Sequence, residues 1–169
     1  MSEGLMAVGS ALPDTGLCWA QMPGYAVAFK TYTFGELTIG MRDSLLRTVM
    51  ASTVNQFAEV SGDANPIHLS DDFAAGTRFG QRIAHGMFTA SLISAVIGTR
   101  LPGPGAVYLS QTLRFLAPVR IGDVVGAVVE VAEMVEKGRR VRLDCHCLVD
   151  GKPVLEGEAW VMVPGARHT

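Results

Sequence analysis

The spacing of apolar positions changes once along the chain, and the change separates a helical part from a sheet-forming part. From Ile83 to Thr99, seventeen residues pass without a charge between Arg82 and Arg100. Apolar side chains there fall on nearly every face of a 3.6-residue period, which predicts a long helix buried almost all round. Leu101-Pro-Gly-Pro-Gly105 stops it. Beyond that stop the period is two. In Ala106–Leu116 the side chains of Val107, Leu109, Leu113 and Phe115 are expected on one face. Arg139–Val149 alternates more cleanly, with Val141, Leu143, Cys145, Cys147 and Val149 opposite Arg140, Arg142, Asp144 and His146. Asp150-Gly151 is a two-residue hairpin signal, and Lys137-Gly138 marks a turn after a strand over Val124–Met134.

Upstream of the long helix the elements are short. Ser44–Met50 reads as a strand. Ser52 is placed as the N-cap of a helix over Thr53–Val60, which Gly62 ends. Asn65-Pro66 excludes helix, because a residue before proline is pushed to extended geometry. A second short helix runs from Ser70 or Asp71 to Thr77. The expected whole is an antiparallel meander of about four strands after the buried helix, with one strand before it. A helix without a polar face needs a sheet curved around it. That is an α+β, hot-dog arrangement in a single domain, with a flatter α+β sandwich as the alternative.

Composition agrees with one domain and narrows the class. The 169 residues suit one domain, with residues 1–24, rich in Gly, Ser, Pro and Ala, as a loose arm before a domain over 25–169. Only 18% of residues are charged and the net charge is −2, so no basic stripe for nucleic acid is expected. The seventeen-residue stretch is shorter than the ~20 residues that span a bilayer and contains His85, Thr89, Ser91 and Ser94. No targeting segment is expected, the first basic residue being Lys30. Three cysteines cannot all pair within the chain, which points to a reducing, cytoplasmic setting.

Candidate chemistry concentrates in two places. Phe57-Ala-Glu-Val-Ser-Gly-Asp63-Ala-Asn65-Pro-Ile-His68 sets a carboxylate and an imidazole five residues apart across a rigid bend. Asp63 and His68 then read either as a turn cap and a loop histidine or as an acid–base pair working on a water. A metal site of Asp63, His68 and His85 is a third reading, without the short paired spacing of zinc or non-haem iron motifs. Cys145-His146-Cys147 sits on a strand, sulfurs to one side and imidazole to the other, and reads as core packing. At the start of the long helix, His85-Gly86 is the second place. The first N–H groups of a helix lack internal partners and carry its positive dipole end. Gly86 either offers an oxyanion hole there or merely permits close packing of helix on sheet.

Taken together, Phe57…Ser61-Gly-Asp-Ala-Asn-Pro-Ile-His68 with Ala74, Ile83-Ala-His-Gly-Met87, Ser91-Leu-Ile-Ser94 and Tyr108-Leu-Ser-Gln-Thr-Leu-Arg-Phe115 resemble the MaoC-like (R)-specific enoyl-CoA hydratases over about residues 35–163. The resemblance implies a hot-dog homodimer or dimer of dimers, with the active site near the subunit interface, that reversibly hydrates trans-2-enoyl-CoA to (R)-3-hydroxyacyl-CoA without metal or organic cofactor. It implies Asp63 and His68 as the dyad, the Gly86 amide as oxyanion donor, Ser94 beside the dyad and Asn65 bracing the loop. The acyl tail is expected between central helix and sheet. Arg78, Arg114, Lys137, Arg139 and Arg140 are candidates for the CoA phosphates. Competing readings keep the fold and change the substrate to short branched (mesaconyl-type) CoA or acyl-carrier-protein thioesters, change the reaction to thioester hydrolysis, or make the domain a non-catalytic acyl-CoA-binding module.

Overall fold

The computed structural model describes residues 29–165, so the expected arm over 1–24 and Cys18 lie outside the described residues. A 3₁₀ turn at Phe34–Glu36 leads into strand β1 (Arg42–Thr48), which begins two residues before the expected strand and ends two before it. Helix α1 (Ala51–Ser61) starts earlier than the sequence reading. Met50, in extended geometry, is its N-cap, and Ser52 lies inside the first turn rather than capping it. Its end is as expected: Gly62 takes the left-handed conformation, φ 77°, and its N–H closes on the Ala58 carbonyl.

The Asn65-Pro66 expectation needs correcting. Asn65 is extended, but Pro66 opens a one-turn helix, α2 (Pro66–Leu69), rather than excluding one. Proline suits the first helical position, where its missing N–H would have had no partner. Ser70 then caps α3 (Asp71–Ala75), accepting from the Phe73 N–H at 3.2 Å. The long helix, α4, spans Gly86–Thr99, three residues shorter at its start than the apolar stretch. Ile83 is held instead by a bridge to Arg120, so the chain enters α4 in extended form.

Six strands form one antiparallel sheet in the order β1–β4–β5–β6–β2, with β3 also on β6. Strands β4 (Val124–Val135), β5 (Arg140–Val149) and β6 (Lys152–Met162) form the meander, turning at Gly138-Arg139 and at Asp150-Gly151, all four of positive φ. β2 (Val107–Gln111) and β3 (Arg114–Phe115) do not precede β4 in the sheet; they cross to the far edge and pair with β6. The four apolar residues of this segment do not share a face either. Val107 pairs with Met162, on the outer face, whereas Phe115 pairs with buried Leu155. A register shift between Tyr108 and Ser110 breaks the two-residue alternation.

The sheet curls around α4. Val125, Ala127, Val129 and Val131 of β4 and Val141, Leu143, Cys145 and Cys147 of β5 face Phe88, Leu92, Ile93, Val96 and Ile97 of the helix in one core. Cys145 and Cys147 are wholly buried, which pushes both thiols up to about 12 and leaves them inert, while His146 points to solvent. No helix among the described residues is long and apolar enough to cross a membrane.

Candidate active site

The loop between α1 and α2 is built from its own short side chains. Ser61 Oγ donates to the Phe57 carbonyl and accepts from the Asp63 N–H. The Asp63 carboxylate accepts from the Asn65 N–H at 3.2 Å, and the Asn65 side chain accepts from the Ile67 N–H. Each residue therefore turns the chain by bonding two positions ahead, the Asx-turn habit of Asp and Asn. Asp63 is left exposed at the tip, and His68, one turn later in α2, is buried.

His68 is anchored through Nδ1, 2.9 Å from the Ile83 carbonyl oxygen. A carbonyl only accepts, so Nδ1 carries the proton and Nε2 is the basic nitrogen of the neutral ring. Burial lowers the His68 pKa below the ordinary histidine value. The Ile83 carbonyl acts against that, neighbouring His85 adds to it, and Asp63 opposes it. The net result keeps His68 neutral near pH 7, the form that accepts a proton. Arg82 Nε donates to the His68 carbonyl at 2.6 Å and its NH2 to the Asn55 side chain, fixing α2 against α1.

His85, expected from the sequence as the residue before Gly86 and as one of three candidate metal ligands, stands at the centre. Its Nε2 lies 2.9 Å from the Asp63 backbone oxygen, and its ring stacks on His68 with centroids 3.9 Å apart and 32° between planes. One donor atom from each of Asp63, His68 and His85 lies within 4.8 Å of the others. The set chelates poorly, however. Imidazole lone pairs lie in the ring plane, so two stacked rings send theirs side by side rather than to a common ion. The signal available in the sequence was position alone: a histidine directly before the glycine that opens the long helix.

A cavity of about 270 Å³ brings His68 and Gly86 together, walled by Ile83, Thr89, Phe115, Leu116 and Val154, with Arg78 and Phe79 also on its lining. Gly86 is the first residue of α4, so its N–H has no intrahelical acceptor. The Arg78 guanidinium rests 4.8 Å over the Phe79 ring. Of the five basic candidates, Arg78 alone lines this cavity; Arg114 pairs with Glu156 on the sheet. Ser94, expected beside the dyad, has its hydrogen-bond partner elsewhere. Two turns along α4 from Gly86, its hydroxyl bonds the Tyr108 phenol of β2 and not Asp63 or His68.

These features have close counterparts. The family model described as "MaoC like domain" matches residues 38–146. A 3-hydroxybutyryl-CoA dehydratase of Methylorubrum extorquens is 60% identical over 131 residues, 78% of this chain and 83% of that protein. An (R)-specific enoyl-CoA hydratase of Rhodospirillum rubrum is 51% identical, covering 78% and 91%. Among solved structures, the unliganded R-hydratase PhaJ1 from Pseudomonas aeruginosa superposes with a TM-score of 0.77 at 44% identity, covering 80% of this chain and 88% of that one. With a motif-bearing loop, a curled sheet and relatives matched over most of their length, the chain belongs to the MaoC-like dehydratase family.

Proposed function

We propose that this protein is an enoyl-CoA hydratase that adds water reversibly to a trans-2-enoyl-CoA and yields the (R)-3-hydroxyacyl-CoA. The observation that carries the reading is the shared cavity of His68 and Gly86, with a carboxylate oxygen of Asp63 within 4.8 Å of a His68 ring nitrogen. The thioester oxygen accepts from the Gly86 N–H at the positive end of α4, which draws electrons from the β-carbon. Asp63 and His68 hold a water between them. As its oxygen bonds the β-carbon, the pair takes one proton, and one proton returns to the α-carbon as the enolate collapses. The two groups titrate as a coupled pair and are described jointly. Asn65 braces the loop through its N–H to Asp63 and its cap on α2.

The cavity favours short acyl groups. At about 270 Å³ it lies near the lower end of ordinary ligand sites, and Phe115, Leu116 and Val154 wall it with bulk. The M. extorquens relative, named for a four-carbon substrate, supports the same choice. Arg78 at the cavity lining is assigned to a phosphate of the CoA moiety. The working form is a homodimer joined through the β2 edge, whose apolar side chains Val107 and Leu109 are exposed among the described residues.

The test is hydration of crotonyl-CoA, followed as loss of the enoyl thioester band, with chiral analysis of the product. Asp63→Asn and His68→Gln, each checked for folding by circular dichroism, should lower kcat by about 10²–10⁴. The double variant should be little worse than the poorer single one, since members of a catalytic unit are not additive. A folded Asp63→Asn retaining more than about a third of wild-type kcat lies outside any acid–base effect and overturns the dyad. Activity on the acyl-carrier-protein thioester alone, or binding without turnover, would overturn the CoA hydratase reading itself.

A further inference from the structure

His85 is 1% exposed, and although it is the N-cap residue of α4 its side chain makes no capping bond. Its Nε2 sits 2.9 Å from the Asp63 backbone oxygen, which only accepts, so Nε2 carries the ring proton. Nδ1 is then a bare acceptor, buried and without a partner among the described residues. A hydrophobic side chain would fill this volume without stranding an acceptor, so packing alone does not account for a histidine here. The ring also touches two catalytic elements at once. One face lies on His68 at 3.9 Å, Phe57 of α1 packs against it at 5.1 Å, and the next residue is Gly86.

We propose that His85 is a positioning residue, whose Nε2–H tethers the Asp63 loop while its ring holds His68 against the cavity wall, so that one side chain sets the dyad in register with the Gly86 amide. The proposal rests on the dyad reading above. Two imidazoles this close resist carrying a proton each, so His85 also helps keep His68 in its basic form. The other charged groups around the pair are Asp63 from the α1–α2 loop, Arg82 on the His68 carbonyl and Arg78 on the cavity lining; α4 itself carries no charged residue.

Two substitutions separate the ring from its N–H. His85→Phe keeps a flat ring and loses the tether, whereas His85→Gln keeps an amide N–H within reach of Asp63 and loses the ring. His85→Phe should lower kcat for crotonyl-CoA about 10–100-fold with KM within about threefold, the effect of misplacing a catalytic group by a fraction of an ångström to an ångström. His85→Gln should restore kcat to within about fivefold of wild type. In both, the His68 Cε1–H resonance should titrate at higher pH than in the wild type, because the second imidazole beside it is gone, and the acid limb of kcat/KM should move up with it. A folded His85→Phe within about threefold of wild type, or a folded His85→Gln no better than His85→Phe, overturns the tether. Should His85→Phe fail to fold, His85→Leu, which also lacks the N–H, takes its place: a folded His85→Leu with kcat lowered about 10–100-fold supports the tether, and one within about threefold of wild type overturns it. The resonance titration does not depend on turnover, so failure of the dyad reading, seen as an active Asp63→Asn, is recognised separately.

Discussion

A methyl group at Gly86 would lie 2.8 Å from Cε1 of Phe115, so any side chain here must push aside a ring from β3 as well as crowd a ligand. This separates two roles that the residue type alone confounds. Gly86 is the first position of α4 and His85 before it is extended, ψ 136°, so the backbone accepts proline. The aromatic ring is the obstacle. In a Phe115→Ala background, Gly86→Ala keeps the N–H and Gly86→Pro removes it at nearly constant helix geometry. The proline variant should show kcat/KM lower by about 10²–10³, the value of one oxyanion donor, while the alanine variant stays within about tenfold of its background. Equal values for the two would exclude the Gly86 amide as donor. Asp63, Asn65 and His68 were readable because turn chemistry is local; Phe115 was not, because its partner lies 29 positions earlier in the chain.

At the scale of elements, the crossing of β2 and β3 over β6 depends on Gly157. A Cβ there would meet the Thr112 carbonyl oxygen at 1.9 Å, where the chain steps from one short strand to the next. Gly157→Ala should destabilise by about 3 kcal/mol, the upper part of the overpacking range, read from the urea midpoint. Because β3 carries Phe115 into the cavity wall, activity should fall further than the remaining folded fraction explains. A second device ties β1 to the end of α4. Burial works to raise the Asp43 pKa, but Lys30, the Ser44 N–H and Arg100 together outweigh it and hold the carboxyl below its usual range. A depressed carboxylate stabilises the fold above its unfolded pKa and loses that contribution as pH falls through the folded one. Asp43→Asn should therefore be less stable than wild type at pH 7, with the difference closing in acid. A constant difference from pH 7 down to acid denaturation would show that the charge contributes nothing.

For the whole molecule, the decisive feature is an apolar sheet edge, β2, that no further strand covers among the described residues. Val107 and Leu109 of β2 are each 49% exposed, and Phe115 of β3, 51% exposed, lines the cavity with His68 and Gly86. Unpaired edges of this kind are covered in soluble proteins. Light scattering should read twice the 18.0 kDa chain mass. Leu109→Lys, which places a charge on the β2 edge, should shift the protein toward monomer and lower activity with it, because β2 leads directly into β3, whose Phe115 lines the cavity with Gly86. A wild-type monomer of full activity would remove the dimer from the mechanism.

The sequence by itself determined what depends on near neighbours. A period of 3.6 without a polar face marked α4, a period of two marked β4, β5 and β6, and Asp150-Gly151 marked their last hairpin, because each signal lies within one element or one turn. The Asp63–His68 loop was readable for the same reason, its bonds reaching only two residues ahead. Tertiary structure decided the remainder. Pairing of β2 with β6 instead of β4, the outward turn of Val107 against the inward turn of Phe115, and the bond of Ser94 to Tyr108 all join distant segments whose register no local pattern encodes. His85 is the clearest case. Its place before Gly86 marked it in the sequence without giving it a role, and only the fold brings its ring 3.9 Å from His68 and its N–H to the Asp63 carbonyl, 22 positions away.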